Sequence, residues 1–274
     1  MRSLRCLALA ALTLGAAALT AALPARAENQ NPRLPNGWRV HDMTRPAPER
    51  VEVKPDPAQP PSDAAVLFDG SGFAAWEGAS QQFSPNGEVP WKLADGVMEI
   101  AGQGGVRTKE KFGDIQLHLE WASPNPHTGE AAQRRGNSGV FLMGRYEIQI
   151  MDGFENDAYA DGMMGAVYGQ TPPMVNACRR PGEWQTFDIF FTAPKFAGGE
   201  TVEPAYVTVL HNGVLVQNHT PVLGATQHNL LPHYTPHAGQ QPIVLQNHGE
   251  AVRLRNIWVR RLNDRNTRPA PTQE

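Results

Sequence analysis

Residues 135–152 read R-G-N-S-G-V-F-L-M-G-R-Y-E-I-Q-I-M-D and contain a carboxylate and a carboxamide, Glu147 and Gln149, two residues apart. They alternate with Tyr146, Ile148 and Ile150, and strict alternation is the pattern of a β-strand with one buried face. On such a strand the two polar groups project the same way, roughly 7 Å apart. That spacing suits gripping a sugar ring, although a merely solvated strand face has the same pattern. Two more runs extend it. In residues 114–121, Gln116, His118 and Glu120 alternate with Ile115, Leu117, Leu119 and Trp121; in 243–248, Gln246 and His248 fall on the side of Val244. Gln, His and Glu on three strands depart from the Lys, Glu, Thr and Ser of an ordinary exposed sheet. The expectation is one open polar surface built from all three strands. Trp76, Trp91, Trp184 and Tyr168 are candidate stacking platforms, with Trp184 also readable as core.

The elements that must position these groups are strands and turns. Asp95-Gly96 sits between residues 91–93 and 97–100, and Asn212-Gly213 between 206–210 and 214–217. Both are strong hairpin signals, since both central residues of the turn need positive φ. Further strands are expected at 114–121, 166–168, 185–191, 242–246 and 252–262. In the last, the alternation slips between Leu254 and Ile257, which predicts a bulge. No amphipathic helix of three turns and no internal repeat is visible. The pattern predicts an all-β fold, a single antiparallel β-sandwich of the jelly-roll kind.

The chain opens with Arg2 and Arg5, an apolar run over 7–23, and Ala25-Arg26-Ala27. This is the pattern of a secretory signal peptide over residues 1–27, cut after Ala27. Removing it takes away three arginines and no acid, leaving 21 basic against 27 acidic side chains and a formal charge of −6. No basic run appears, so neither nucleic acid nor membrane insertion of the mature chain is expected. Cys178 becomes the one cysteine, which fits an exported protein without disulfides, periplasmic or secreted. Residues 28–62 are rich in proline and read as an extended lead or as coil wrapped on the domain. The domain is expected over 63–263, with a tail at 264–274.

Several chemistries are disfavoured. There is no H-E-x-x-H, no C-x-x-C and no calcium-loop spacing, so the sequence defines no metal site; His228, His233 and His237 read as surface histidines of one loop. Ser138 lacks a nucleophile elbow, and Cys178 has no activating signature.

The ordered pieces Leu67-Phe68-Asp69-Gly70 with Trp76, Asp95-Gly96-Val97, Gly136-Asn137-Ser138-Gly139-Val140 and Tyr146-Glu147-Ile148-Gln149 carry a resemblance. So do Gly165-Ala166-Val167-Tyr168-Gly169, Gly182-Glu183-Trp184-Gln185, Leu245-Gln246-Asn247-His248-Gly249 and Arg255-Asn256-Ile257. Together they resemble the 3-keto-disaccharide (3-keto-glycoside) hydrolase family of the concanavalin-like lectin/glucanase group, over residues 65–262. Asn247 stands where the family often has Asp, and Met143 where it often has Arg.

The resemblance implies cleavage of glycosides already oxidised at C3 by a sugar C3 dehydrogenase, the functional partner. A C3 ketone acidifies the C2 hydrogen, so a base removes it, the C1 substituent leaves, and water adds to the enone. The chemistry needs a base, an acid and donors to the enolate oxygen. The implied base is Glu147 or His248, with Glu120 third. Asn137, Ser138, Gln149 and Gln246 would be polar contacts to the small carbohydrate substrate. Tyr168 would be a stacking or acid residue, and His118 would orient Glu120. The cofactor is undefined, a metal polarising the ketone being compatible with the chemistry. Two alternatives stand beside it. A non-catalytic carbohydrate-binding module would need the aromatic platform but not Glu147 or His248. A retaining glycosidase would need Gln149 and Asp152 to do the work of carboxylates in an E-x-D-x-x-E run. The signal-peptide reading predicts that the purified native protein begins at Glu28; N-terminal sequencing that returns an intact Met1 would contradict it.

Overall fold

The computed structural model describes residues 58–126 and 132–262, with 32–35, 37, 38, 44, 45 and 56 before them. The expected signal peptide and tail lie outside the described residues, as does most of the Pro-rich lead. The chain divides into two units, Met1–Ala47 with Thr267–Glu274, and Pro48–Asn266. In the first, Leu34 and Trp38 close a turn, the Leu34 amide donating to the Trp38 carbonyl at 2.7 Å.

The second unit is built of antiparallel strands. In chain order they are β1 (Ala65–Phe68), β2 (Trp76–Gly78), β3 (Lys92–Ala94), β4 (Val97–Glu99), β5 (Val106–Thr108), β6 (Ile115–Ala122), β7 (Ser138–Leu142) and β8 (Tyr146–Ile150). There follow β9 (Gln185–Thr192), β10 (Lys195–Ala197), β11 (Glu200–Glu203), β12 (Tyr206–His211), β13 (Val214–Pro221), β14 (Val244–Leu245) and β15 (Arg253–Arg261). Eight form one sheet in the order β13-β12-β9-β6-β15-β4-β3, with β1 also on β15. Five form a second, β2-β5-β14-β7-β8, and β10 with β11 make a small ribbon. Among the described residues the only helical pieces are two single 3-10 turns, Ala132–Arg134 and Ala160–Gly162. The all-β antiparallel expectation is met.

Local sequence explains the hairpins. Asp95 and Gly96 have φ of 52° and 73°, and Asn212 and Gly213 have 52° and 78°, the left-handed pairs that a two-residue turn matching strand twist requires. The bulge expected in β15 is present: its register on β6 shifts between Arg255 and Trp258, where Asn256 has φ of 47°. One expected strand is not. Residues 166–168 form only isolated bridges, from Val167 to Ile148 and to Thr171.

The two large sheets bury their apolar faces against each other. Ile115, Leu117, Leu119 and Trp121 of β6 and Phe187, Ile189 and Phe191 of β9 share one core cluster with Val140, Leu142, Tyr146, Ile148 and Ile150 of β7 and β8. Tyr146 meets Phe191 across it, ring centroids 5.8 Å apart. Since both apolar faces point inward, the polar faces point outward in opposite directions. That corrects the expectation of one shared polar surface: β6 belongs to the eight-stranded sheet, β8 and β14 to the five-stranded one.

Leu119 is fully buried and Leu93 is exposed. Leu119→Ala should lower stability by about 2–5 kcal/mol with an unchanged denaturant slope, as for other buried leucine truncations. Leu93→Ala should leave the urea midpoint nearly unmoved. Urea unfolding followed by tryptophan fluorescence checks both.

Candidate active site

Glu147 lies on the outer face of β8, at the edge of the five-stranded sheet. Pairing fixes its neighbours, because residues opposite each other on antiparallel strands share a face. Glu147 opposes Phe141, Gln149 opposes Gly139, and the Gln246 amide donates to the Gly139 carbonyl at 3.0 Å. The row Gln246–Gly139–Gln149 therefore runs beside Glu147.

Gly139 leaves the space that Glu147 occupies. A Cβ at 139 would sit 2.2 Å from Glu147 Oε1 and 2.9 Å from its Cγ and Cδ. The Glu147 side chain lies across the glycine and is only 4% exposed. Among the described residues, no hydrogen bond reaches its carboxyl group; its backbone amide donates to Thr226 Oγ1 at 3.1 Å, and its backbone carbonyl accepts from the Tyr168 amide at 3.1 Å. Burial without a compensating partner disfavours the charged form and raises the carboxyl pKa to about 8.

Around it is a polar network. Gln149 Nε2 donates to Gln133 Oε1 and to Asn137 Oδ1, both at 3.1 Å. Asn137 Nδ2 donates to the Gln133 carbonyl at 2.9 Å, and Gln133 Nε2 to the Gly162 carbonyl at 2.8 Å. Two acceptors are left over, the buried Oε1 atoms of Gln149 and Gln246, which have no partner. Leaving such atoms unpaired is costly, so they are the groups a bound hydroxyl would satisfy. Tyr168 Oη lies 2.7 Å from Tyr159 Oη and 3.2 Å from His228 Nδ1.

The segment carrying Tyr168 also occupies the free edge of β8. The Gly165 amide donates to the Gln149 carbonyl and the Gln149 amide to the Ala166 carbonyl, at 2.9 and 3.1 Å.

Other sequence-predicted residues sit elsewhere. Ser138 faces the core side of β7, buried, with its hydroxyl donating to the Gln246 carbonyl at 2.8 Å, so it is turned away from the Glu147 face. His248 has a half-exposed side chain, its Nδ1 3.8 Å from Glu250 Oε2. Glu250 Oε2 in turn accepts the Asn137 amide at 2.9 Å, which ties His248 to the network's rim. Burial raises the Glu250 pKa, partly offset by that bond.

Glu120 and His118 are on the other sheet and tied down. Glu120 accepts from Arg255 Nε at 2.6 Å and from Asn256 Nδ2 at 2.9 Å. His118 Nδ1 is 2.8 Å from Asp188 Oδ1, and its ring stacks on Trp258 at 5.1 Å. The Ala58 carbonyl accepts from both Asn256 Nδ2 and Trp258 Nε1. Glu120 is thus corrected from a candidate base beside Glu147 to a member of a closed network on the opposite side.

The aromatic platform also changes. Trp76 and Trp91 are core residues, 2% and 5% exposed, with their indole N–H groups given to the Leu67 and Gly104 carbonyls. Trp184 lies under Arg255 on the eight-stranded sheet, 4.1 Å from guanidinium carbon to ring centroid. Tyr168 alone of the four is at the Glu147 site. Asp152 is fully buried and held by Arg135 Nε and Nη2 at 2.9 and 2.5 Å, so it is not available as a second catalytic carboxylate.

Gln133, Tyr159, Thr226 and His228 are additions that the sequence reading did not make. They come from loops, where no periodicity marks them. Among the described residues no group of three or more His, Cys, Asp or Glu side chains is placed to hold a metal ion.

A family model described as the 3-keto-alpha-glucoside-1,2-lyase-like domain matches residues 63–260. A solved structure from Parabacteroides distasonis ATCC 8503, a candidate glycosyl hydrolase, is 41% identical with a TM-score of 0.75, covering 84% of this chain and 100% of that one. A second candidate glycosyl hydrolase of the same organism is 18% identical with a TM-score of 0.51, over 78% of this chain and all of that one, a likeness of fold. No curated protein matches the chain.

The raised Glu147 pKa sets a stability trend. Between about pH 4.5 and 8 the folded state keeps a proton that the unfolded state has lost, so stability falls as pH rises through that window. Glu147→Gln should remove this slope and be more stable than the parent above pH 8, by on the order of a few kcal/mol at a unit shift of 1.4 kcal/mol. Thermal unfolding at pH 5 and pH 9 measures it; an equal change at both would contradict the burial.

Proposed function

We infer the function from one premise: the chain belongs to the 3-keto-alpha-glucoside-1,2-lyase-like domain family, proteins of glycoside-cleaving kind. We propose that it cleaves 3-keto-glycosides, with Glu147 taking the C2 proton. The carboxyl that lies unpaired and buried over Gly139 is the observation that supports this most. Its pKa of about 8 makes it a stronger base than a solvated carboxylate while leaving a useful ionised fraction near neutral pH.

In the first step the Glu147 carboxylate removes the hydrogen on C2, and the electron pair of that bond becomes the enolate of the C3 ketone. The enolate then collapses, forming the C1–C2 double bond and expelling the C1 oxygen with its aglycone. In the second, water adds its OH to C1 of the enone and protonated Glu147 returns its proton to C2, while the remaining proton of the water makes up the one taken by the departing aglycone oxygen; this regenerates both the 3-keto sugar and the carboxylate.

The supporting groups fit neutral, hydroxyl-bearing rings. The unpartnered Oε1 atoms of Gln149 and Gln246 accept from sugar hydroxyls, and the side-chain Nε2 of Gln246 donates toward the enolate oxygen. Asn137 holds Gln149 in place through its Oδ1. A partner dehydrogenase oxidising C3 supplies the substrate, and the reaction is placed in the periplasm or outside the cell by the proposed export signal.

An ordinary retaining glycosidase places two carboxyl groups about 5–5.5 Å apart on either side of the bond it cleaves. The commitment of Asp152 to Arg135 gives that reading no support.

The purified protein should cleave a 3-keto-glycoside and leave the unoxidised glycoside intact. Glu147→Gln should cost at least about a hundredfold in kcat, the low end of general acid–base effects. Glu120→Gln should keep parental turnover. The parental rate should rise with pH through about 8, as Glu147 ionises. A Glu147→Gln enzyme with near-parental turnover would rule out this base.

A further inference from the structure

A hydrogen-bond chain Tyr159–Tyr168–His228–Asn229 runs from the site to the surface. Asn229 Nδ2 can only donate, and it lies 2.9 Å from His228 Nε2, so Nε2 of the neutral imidazole accepts and the ring proton is on Nδ1. Nδ1–H then donates to Tyr168 Oη at 3.2 Å. Tyr168 Oη and Tyr159 Oη lie 2.7 Å apart, and either hydroxyl can donate to the other. The Tyr159 hydrogen can therefore go to Tyr168 or to a group that arrives beside it.

Tyr159 borders the Glu147 site, close enough for the two side chains to interact electrostatically. The Tyr159 ring packs against Gly162, where a Cβ would be 2.1 Å from its Cε2 and 2.7 Å from Gln133 Nε2. Gln133 holds Gln149, and the Tyr168 amide is bonded to the Glu147 carbonyl. The far end of the chain, at His228 and Asn229, is exposed to solvent.

We propose that Tyr159 is the acid–base partner of Glu147, donating its phenolic hydrogen to the departing glycosidic oxygen. Resting on the elimination reading above, the balance is complete. As the enolate collapses, the C1–O bond breaks and its electron pair stays on the oxygen, which takes the Tyr159 hydrogen. The tyrosinate formed then accepts the hydrogen that Tyr168 turns toward it, with His228 supporting Tyr168. In the hydration step Tyr159 takes a proton from the attacking water as the O–C1 bond forms, and Glu147 returns its proton to C2. Both groups end as they began, and no further reactant is consumed. Burial, then the bond to Tyr168, raises the Tyr159 pKa above its usual value, so the phenol carries its proton when the cycle starts.

The test uses leaving-group dependence. Methyl and 4-nitrophenyl 3-keto-glucosides differ in their need for protonation, since nitrophenolate departs readily without an acid. Tyr159→Phe should lose at least about a hundredfold in kcat on the methyl substrate and less than about tenfold on the nitrophenyl one, following acid-catalysis magnitudes. Its exchange of the C2 hydrogen in heavy water should persist, because Glu147 is untouched. Tyr168→Phe keeps Tyr159 but breaks the chain, and should show a smaller loss with the same leaving-group preference; it serves where Tyr159→Phe folds poorly in a thermal melt. Equal loss on both substrates, or none on the methyl one, overturns the role of Tyr159. A parental enzyme inert on both substrates instead overturns the elimination reading, and this assignment with it.

Discussion

The site depends on a carboxyl group kept from water and given no partner. Burying a charge is costly, and proteins usually meet the cost with a counter-charge or several hydrogen bonds. Around Glu147 the chain withholds both and accepts the raised pKa. The geometry follows from the β7–β8 hairpin. Its register sets Gly139 opposite Gln149 and diagonal to Glu147, and the missing side chain at 139 is the hole into which the carboxyl folds. Gln149, Gln133 and Asn137 bind one another and not the carboxylate, which leaves Glu147 free to act on something that arrives.

Across the barrier of the core, the chain handles the same residue types in the opposite way. Glu120 has Arg255 and Asn256, and His118 has Asp188 and Trp258. Each of these side chains has a partner, and the Ala58 carbonyl accepts from both Asn256 and Trp258. A satisfied network of that kind orders a sheet face and holds an incoming segment against it. The contrast between the two carboxylates is one of pairing, since both are mostly buried.

This contrast is also what the sequence could not carry. The alternation in Tyr146–Ile150 and in Ile115–Ala122 shows that each strand has a polar side, and the hairpin turns and the β15 slip are legible because φ and period are local properties. Which sheet a strand joins is not local. Glu120 and Glu147 look alike until pairing separates them. Trp76 and Trp91 carry the same ambiguity, because an indole can be a sugar platform or, once its N–H finds a carbonyl, a core residue. Gln133, Tyr159 and His228 reach the site from segments without period, so only the folded chain brings them to Glu147. His228 is exposed, as its loop suggests, but its hydrogen bond to Tyr168 exists only in the folded chain.

β8 is the last strand of its sheet, and a terminal strand presents bare amides and carbonyls on which a second chain can add. Residues 165–168 use those groups: Gly165, Ala166 and Tyr168 bond to Gln149 and Glu147, while the Thr226 hydroxyl takes the Glu147 amide and the Thr226 amide the Arg145 carbonyl. The covering is irregular, without the regular ladder that would invite a further strand. The segment that delivers Tyr168 is thus also the segment that fills the open edge of β8, so the same few residues border the candidate site and close the margin of its sheet.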